Sequence, residues 1–478
     1  MATAVSGDFL DAISTALKAG GAAAVPALRR LNATDEIQKL NEAEGAPDVT
    51  STNIYAGAII GTVTAVTCIS LAIDRTRGKR TMDDSCPGHT LWSTSLKIMS
   101  YMLLIPGISH ILYHFNVALS FFGQTWKVRG GIETMLQLIG DLHSEGCYFA
   151  AGLITFYAIV IPVVKVLMLA VGACWRSSAS PVRVSWSRRF LITVQIVSKW
   201  ASPDMFAYIL MMYLFRELNR PPSVFSDMTM DVGFTCFCIF CVGSTISALG
   251  MRIPALPASE KTPTRSYNAM AKWMAVAVVL LTLAFLVLLG YGVSYPCMAL
   301  RMDMNLFYSQ YPNLKAYKVY IDKVHLEDLV HAEVSIGKCM FSLARWFCAG
   351  ELNSGVALAM YGVFVLFFSI ADMLAMSTAA IQLCRSSSTD AAKTALASSR
   401  VMGRLSMLDV SVVGFLVMVL AMEDLRKKGI VASLGSGIVP LSAAAACQYF
   451  ACFLVNQASM FSTEVPTEAK EGDGEAVV

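Results

Sequence analysis

The chain has 478 residues, 55% of them hydrophobic and only 15% charged, with a mean hydropathy of +0.57, which places it outside the composition of soluble globular domains. A formal net charge of +3 over this length is too small to imply a nucleic-acid partner, and the basic residues gather in short segments between apolar runs. Composition therefore indicates a polytopic membrane protein.

Residues 1–52 mix Ala and Gly with both charge signs and lack the early apolar core of an ordinary signal peptide. Asn32-Ala33-Thr34 is a glycosylation sequon, usable only on a non-cytoplasmic side. Apolar runs long enough to cross a bilayer lie near 53–73, 97–118, 147–173, 203–217, 230–251, 272–297, 354–383, 407–422 and 434–456. The expected fold is all-α: a polytopic helical membrane protein with about nine transmembrane helices. One extra span (53–73) precedes two tandem four-helix units, at 95–252 and 270–458, the second with a long outer loop at 298–353. The tail 459–478 is acidic and is expected to be mobile.

Basic clusters follow spans one, three, five and seven (Arg75 to Arg80, Arg176 to Arg189, Arg252 to Arg265, Arg385 to Arg404), and Arg426, Lys427 and Lys428 run against this trend. The bias predicts a non-cytoplasmic N-terminus and a cytoplasmic C-terminus. In the outer loops, Gly131 to Leu136 and Val334 to Cys339 match in kind. Each reads as a short helix on the membrane surface or as a buried loop helix.

A short pattern marks the start of the third helix in each unit. Lys199 is followed by Asp204 and Arg404 by Asp409, each aspartate opening an apolar run. Charges at the edge of a span are costly, so their recurrence points to a duplicated module. One reading is structural: Ser202-Pro203 as N-cap and first-turn proline, Ser406 with Asp409 as a capping-box variant. The other pairs each aspartate with the basic residue of its own motif at the rim of a transport cavity. Deeper in the bilayer, Lys165 and Asp372 are candidates for a polar relay that couples ion or proton movement to transport, and snorkelling to the headgroups is the alternative for Lys165.

His110 and His114 are four apart near the outer end of the second span, which on a helix puts both imidazoles on one face. Two ligands do not make a metal or haem site, and a polar pair near the headgroups is the expectation. His325, Glu327, Asp328 and His331 in the outer loop read as a solvated face. Most of the 13 cysteines fall inside spans as small apolar residues, while Cys339 and Cys348 share the outer loop and could pair on an oxidising side. No nucleotide-binding loop or hydrolase or kinase signature occurs, so the expectation is a non-enzyme without cofactor or metal.

Ser406-Met407-Leu408-Asp409-Val410, preceded by Gly403-Arg404, resembles the signature of the paraquat-inducible protein A family, and Gly131 to Ala170 is similar to that family's outer loop and following helix. The resemblance spans about 95–458. It implies a role in moving lipids between membranes, with membrane lipids and a lipid-bridge protein of the mammalian-cell-entry type as partners. Family members often carry cysteine-pair zinc ribbons; here Cys86-Pro87-Gly88-His89 is only half a site. A secondary transporter or channel for a small solute, and a scaffold binding a partner through the outer loop, are the alternatives.

Overall fold

The computed structural model describes residues 49–78, 90–121, 124–176, 178, 180–220, 224–251, 268–310, 331–385, 389–422 and 430–462. The Asn32 sequon, Cys86 and His89, the His325 to Asp328 segment, Arg426 to Lys428 and the acidic tail lie outside these residues.

Helix α1 (Val49–Gly78) flanks the bundle. One order of elements then runs twice. The first copy begins with α2 (Leu91–Ser109), β1 (Ile111–Phe121), β2 (Gln124–Thr134) and α3 (Met135–Ser144). It continues with a second span built of α4 (Tyr148–Thr155), a π-helical segment Phe156–Val160 and α5 (Ile161–Trp175). Then come α6 (Pro181–Val197), a 3-10 turn Ser198–Ala201, α7 (Pro203–Glu217), β3 (Val224–Met230) and α8 (Val232–Leu249).

The second copy has α9 (Asn268–Ser294), β4 (Met298–Met302), a short α10 (Met304–Gln310), β5 (Ala332–Val334) and α11 (Ile336–Cys348). Its second span is α12 (Leu352–Ala359), a π-helical segment Met360–Phe367 and α13 (Phe368–Arg385). It closes with α14 (Thr389–Leu405), α15 (Leu408–Ala421), β6 (Ile430–Leu434) and α16 (Ile438–Ser462).

Among the described residues seven helices are long and apolar enough to cross a membrane: 49–76, 148–175, 232–249, 273–294, 352–382, 394–421 and 438–457. The all-α, multi-pass architecture stands, with seven rather than nine segments meeting the length and composition required. The expected span at 97–118 is cut short because α2 stops at Ser109, three residues after Pro106. The following Ile-Leu-Tyr-His-Phe-Asn-Val run is rich in β-branched and aromatic residues and pairs with two strands. The expected span at 203–217 is α7, only 15 residues long and buried on nearly every side.

Each copy also builds a three-stranded antiparallel sheet with its first strand in the centre, β2-β1-β3 and β5-β4-β6. The chain order places both sheets at one end of the bundle, while the α6–α7 and α14–α15 junctions lie part-way along it, Ala201 beside Cys241 and Ser406 beside Ser369. Open strand edges are excluded from hydrocarbon, so the sheets sit where backbone groups can reach water. The local signals are duplicated as well. Thr134 caps α3 in a full capping box with Gln137, and Ser335 caps α11 by accepting from the Lys338 amide at 3.2 Å. Gly146 and Gly350, with φ of 85° and 101°, make the left-handed turn between each surface helix and the second span.

At the centre, α7 packs on α15, third helix against third helix. A Cβ added at Gly414 would lie 2.7 Å from Phe206 Cβ and 2.9 Å from the Pro203 carbonyl oxygen, so the absence of a side chain permits this crossing. Between helices in lipid, such close packing replaces the hydrophobic effect as the source of attraction. Ser202 of α7's leading turn lies 3.8 Å from Met407 Sδ, its counterpart in the second unit.

Candidate functional site: polar groups at the seam between the units

Part-way along the spanning helices, the charged residues of the two motifs pair across the units. Lys199 Nζ lies 2.7 Å from Asp409 Oδ2, with side chains only 12% and 11% exposed. Tyr449 of α16 donates its hydroxyl to the same Asp409 oxygen, and Lys199 Nζ sits 5.4 Å from the Tyr449 ring centroid. Arg404 donates to Gln195 Oε1 of α6 in the first unit. Pairing within each motif is therefore corrected: Asp409 takes its cation from unit one, and Arg404 reaches back to unit one.

The capping reading also changes. Ser202 accepts no amide and donates instead to the Lys199 carbonyl at 2.7 Å, although Pro203 does open α7. Met407, not Ser406, is the N-cap of α15. Its amide donates to the Phe364 carbonyl at 2.9 Å, satisfying an oxygen inside the π segment.

Asp372 on α13 is 3% exposed, and both of its oxygens accept from neutral side chains. Its Oδ1 accepts from Ser399 at 2.7 Å and its Oδ2 from Gln448 at 2.7 Å, so α13, α14 and α16 meet at this carboxylate. Ser406 bridges the Gln448 amide and Ser369, the latter at 2.7 Å. Gly403 leaves the space: a Cβ there would lie 3.0 Å from Asp372 Oδ2.

In unit one the corresponding groups are less satisfied. Lys165 is 1% exposed, donates to Ser244 Oγ at 2.9 Å and lies 5.6 Å from the Phe240 ring centroid. It points into the bundle against α8 rather than snorkelling to the rim, and it has no acidic partner among the described residues. Ser244 donates to the Cys241 carbonyl at 3.3 Å, and Cys241 Sγ to the Ala201 carbonyl at 3.4 Å, which joins Lys165 to the turn before Asp204. Asp204 is 0% exposed; one oxygen accepts from the Met205 amide at 3.0 Å, while Oδ2 and the Tyr208 hydroxyl one turn later are buried with no hydrogen-bond partner among the described residues. Backbone amides at the start of α7 and the N-terminal dipole of that helix offset the burial of this carboxylate.

His110 and His114 are not on one helix face. His110 is the exposed C-cap of α2, and His114 lies inside β1, 5% exposed, with Nδ1 2.7 Å from Asp231 Oδ2 and Thr229 against its ring. Thr52 of α1 donates to Asp231 Oδ1 at 3.0 Å, and Asn353 of α12 donates to the Met230 carbonyl at 2.6 Å. These residues line a small, water-sized cleft at the sheet end, where α1 and both units meet, together with Glu351, which pairs with Arg216 at 2.8 Å. Among the described residues, no group of three or more His, Cys, Asp or Glu could hold a metal ion.

Cys339 and Cys348 are both free thiols on α11, two and a half turns apart, which separates them by about 13 Å along the axis, beyond disulfide reach. Cys339 is buried and Cys348 exposed. Burial pushes the Cys339 thiol well up from its ordinary value and the Cys297 thiol, next to β4, up to about 12.

Sequence reasoning found Lys165, Asp372 and the two aspartate motifs but missed their partners Ser244, Gln448, Tyr449 and Gln195. All four are neutral side chains on other helices, and nothing in local spacing marks them. No curated protein and no solved structure matches the chain. Residues 95–254, containing Lys165, Lys199, Asp204 and Asp231, match the family described as Paraquat-inducible protein A. The chain is a multi-pass helical membrane protein that is PqiA-like across its first unit.

Proposed function

We propose that the protein is the membrane subunit of a lipid-trafficking system, loading or moving lipid between membranes as its two units part along the α7–α15 seam. The observation that carries this reading is the family match over the unit holding Lys165 and Asp204. The seam supports it: it is closed by polar contacts, Lys199 to Asp409 and Arg404 to Gln195, which can be exchanged for water or headgroup contacts more readily than apolar packing. The central crossing at Gly414 leaves no lipid-sized space there, so loading requires the helices to separate. Buried Lys165, Asp204 and Asp372 supply groups whose protonation or ion binding would bias that separation. A lipid-bridge protein of the mammalian-cell-entry type is the partner proposed.

A disulfide lock tests the reading. Ser202→Cys with Met407→Cys places two sulfurs where the side chains now approach to 3.8 Å. Lipid transfer between vesicles should stop when the pair is oxidised and resume on reduction. Undiminished transfer with the lock closed would reject a path between the units. A small-solute carrier is the second reading, favoured by buried Lys165; solute flux in liposomes with no lipid transfer would select it.

A further inference from the structure

The two surface helices α3 and α11 occupy the same place in their units yet present different faces. On α11 the buried side carries Ile336, Cys339 and Leu343, and the opposite stripe carries Lys338, Phe341 and Arg345, all exposed. Phe341 is 73% exposed. Counting from the caps Thr134 and Ser335, the equivalent stripe on α3 is Gln137, Gly140 and Ser144, also exposed. One helix thus shows small polar groups, and its counterpart an aromatic ring between two cations.

The surroundings of α11 fix the depth of that stripe. A Cβ added at Gly337 would lie 3.2 Å from the Val293 carbonyl oxygen, so the first turn of α11 sits beside the last turn of the span α9. Tyr291 and Tyr295 flank Val293, stack at 5.9 Å, and are both more than half exposed. Paired tyrosines at the end of a span mark the headgroup level. Lys338 and Arg345 have no acidic partner among the described residues.

We propose that Lys338, Phe341 and Arg345 form a binding site for anionic phospholipid headgroups in the leaflet at the sheet end. The ring inserts at the acyl boundary, and the two cations, with their stems along the apolar surface, take the phosphates on either side. The site is independent of whether the protein moves lipid, since it needs only the bilayer in which α9 stands. It also makes the duplicated surface helices unequal: the α11 stripe carries cations for lipid charge where the α3 stripe carries Gln137, Gly140 and Ser144.

Photocrosslinking of the full-length protein tests this. Benzoylphenylalanine replaces Phe341 in nanodiscs of phosphatidylcholine with a minority of phosphatidylglycerol, and the adducts are identified by mass spectrometry. Phosphatidylglycerol adducts should exceed their bulk share. Lys338→Gln and Arg345→Gln should each lower that excess by about fivefold, the effect of one cation near an anionic surface, whereas Lys338→Arg should keep it. The same probe at Gly140, where a side chain meets nothing within 4 Å, should give no excess. Lipid adducts at the bulk ratio, equal excess at position 140, or adducts to protein alone as an acidic partner would give, each overturns the proposal.

Discussion

Lys199 and Asp409 meet at 2.7 Å across the boundary between two units that each carry a copy of the same motif. The pair is nearly buried, so removing one partner leaves an uncompensated charge at the cost of about 3 kcal/mol. Lys199→Gln and Asp409→Asn should each lower stability by that amount in a denaturant titration in detergent. The double exchange Lys199→Asp with Asp409→Lys should recover at least half. Unchanged stability of Asp409→Asn would show that the contact contributes nothing.

Gly414 should not tolerate a larger residue. Gly414→Leu forces the α7–α15 crossing apart and should destabilise the bundle by about 1–3 kcal/mol or prevent folding. Gly290→Leu is the comparison, since a Cβ at Gly290 meets nothing within 4 Å. Equal thermal midpoints for the two variants would contradict the crossing.

Helix α1 is tied to the sheet end by side-chain hydrogen bonds. Asn53 donates to the Gly350 carbonyl at 2.6 Å and accepts from the Leu352 amide at 3.0 Å, and Thr52 donates to Asp231. Asn53→Ala with Thr52→Val should loosen it, raising hydrogen exchange of the first turns of α1 and α12 about fivefold or more, as expected for bonds worth about 1 kcal/mol each. Exchange confined to wild-type rates would place the anchoring elsewhere.

The buried thiols give a pH dependence of known sign. With the Cys297 thiol raised to about 12 and that of Cys339 also raised, the folded chain holds these protons more tightly than the unfolded chain, where thiols ionise near 9.0. Their contribution is complete below pH 9 and is lost as pH climbs through 12. Cys297→Ala should flatten the fall of stability over that window. At pH 8, maleimide should modify exposed Cys348 and spare Cys297 and Cys339 until the protein is unfolded.

The long apolar helices were legible in the sequence because a membrane span needs only length and composition. His114 was not legible as a strand residue: the apolar run 97–118 satisfies a span count, and only pairing with β2 and β3 decides for a strand. Lys199 and Asp409 were visible as residues but not as partners, because the motif suggests pairing within itself and the fold instead brings one unit against the other. Asp372 could be singled out from the cost of a charge in lipid, whereas Gln448 and Ser399, which satisfy it, look like ordinary polar residues until α14 and α16 are in place.

The π segments Phe156–Val160 and Met360–Phe367 recur at one position of the duplicated plan, upstream of Lys165 and Asp372 respectively. A π turn holds an extra residue, so straightening it into α-helix rotates everything beyond by about 100° and shifts it by about 1.5 Å. That motion would swing Lys165 off Ser244 and Asp372 off Gln448 with no helix unwound. Each unit thereby carries one residue of slack, and taking it up is a way for a rigid rod to redirect a charge inside the bilayer.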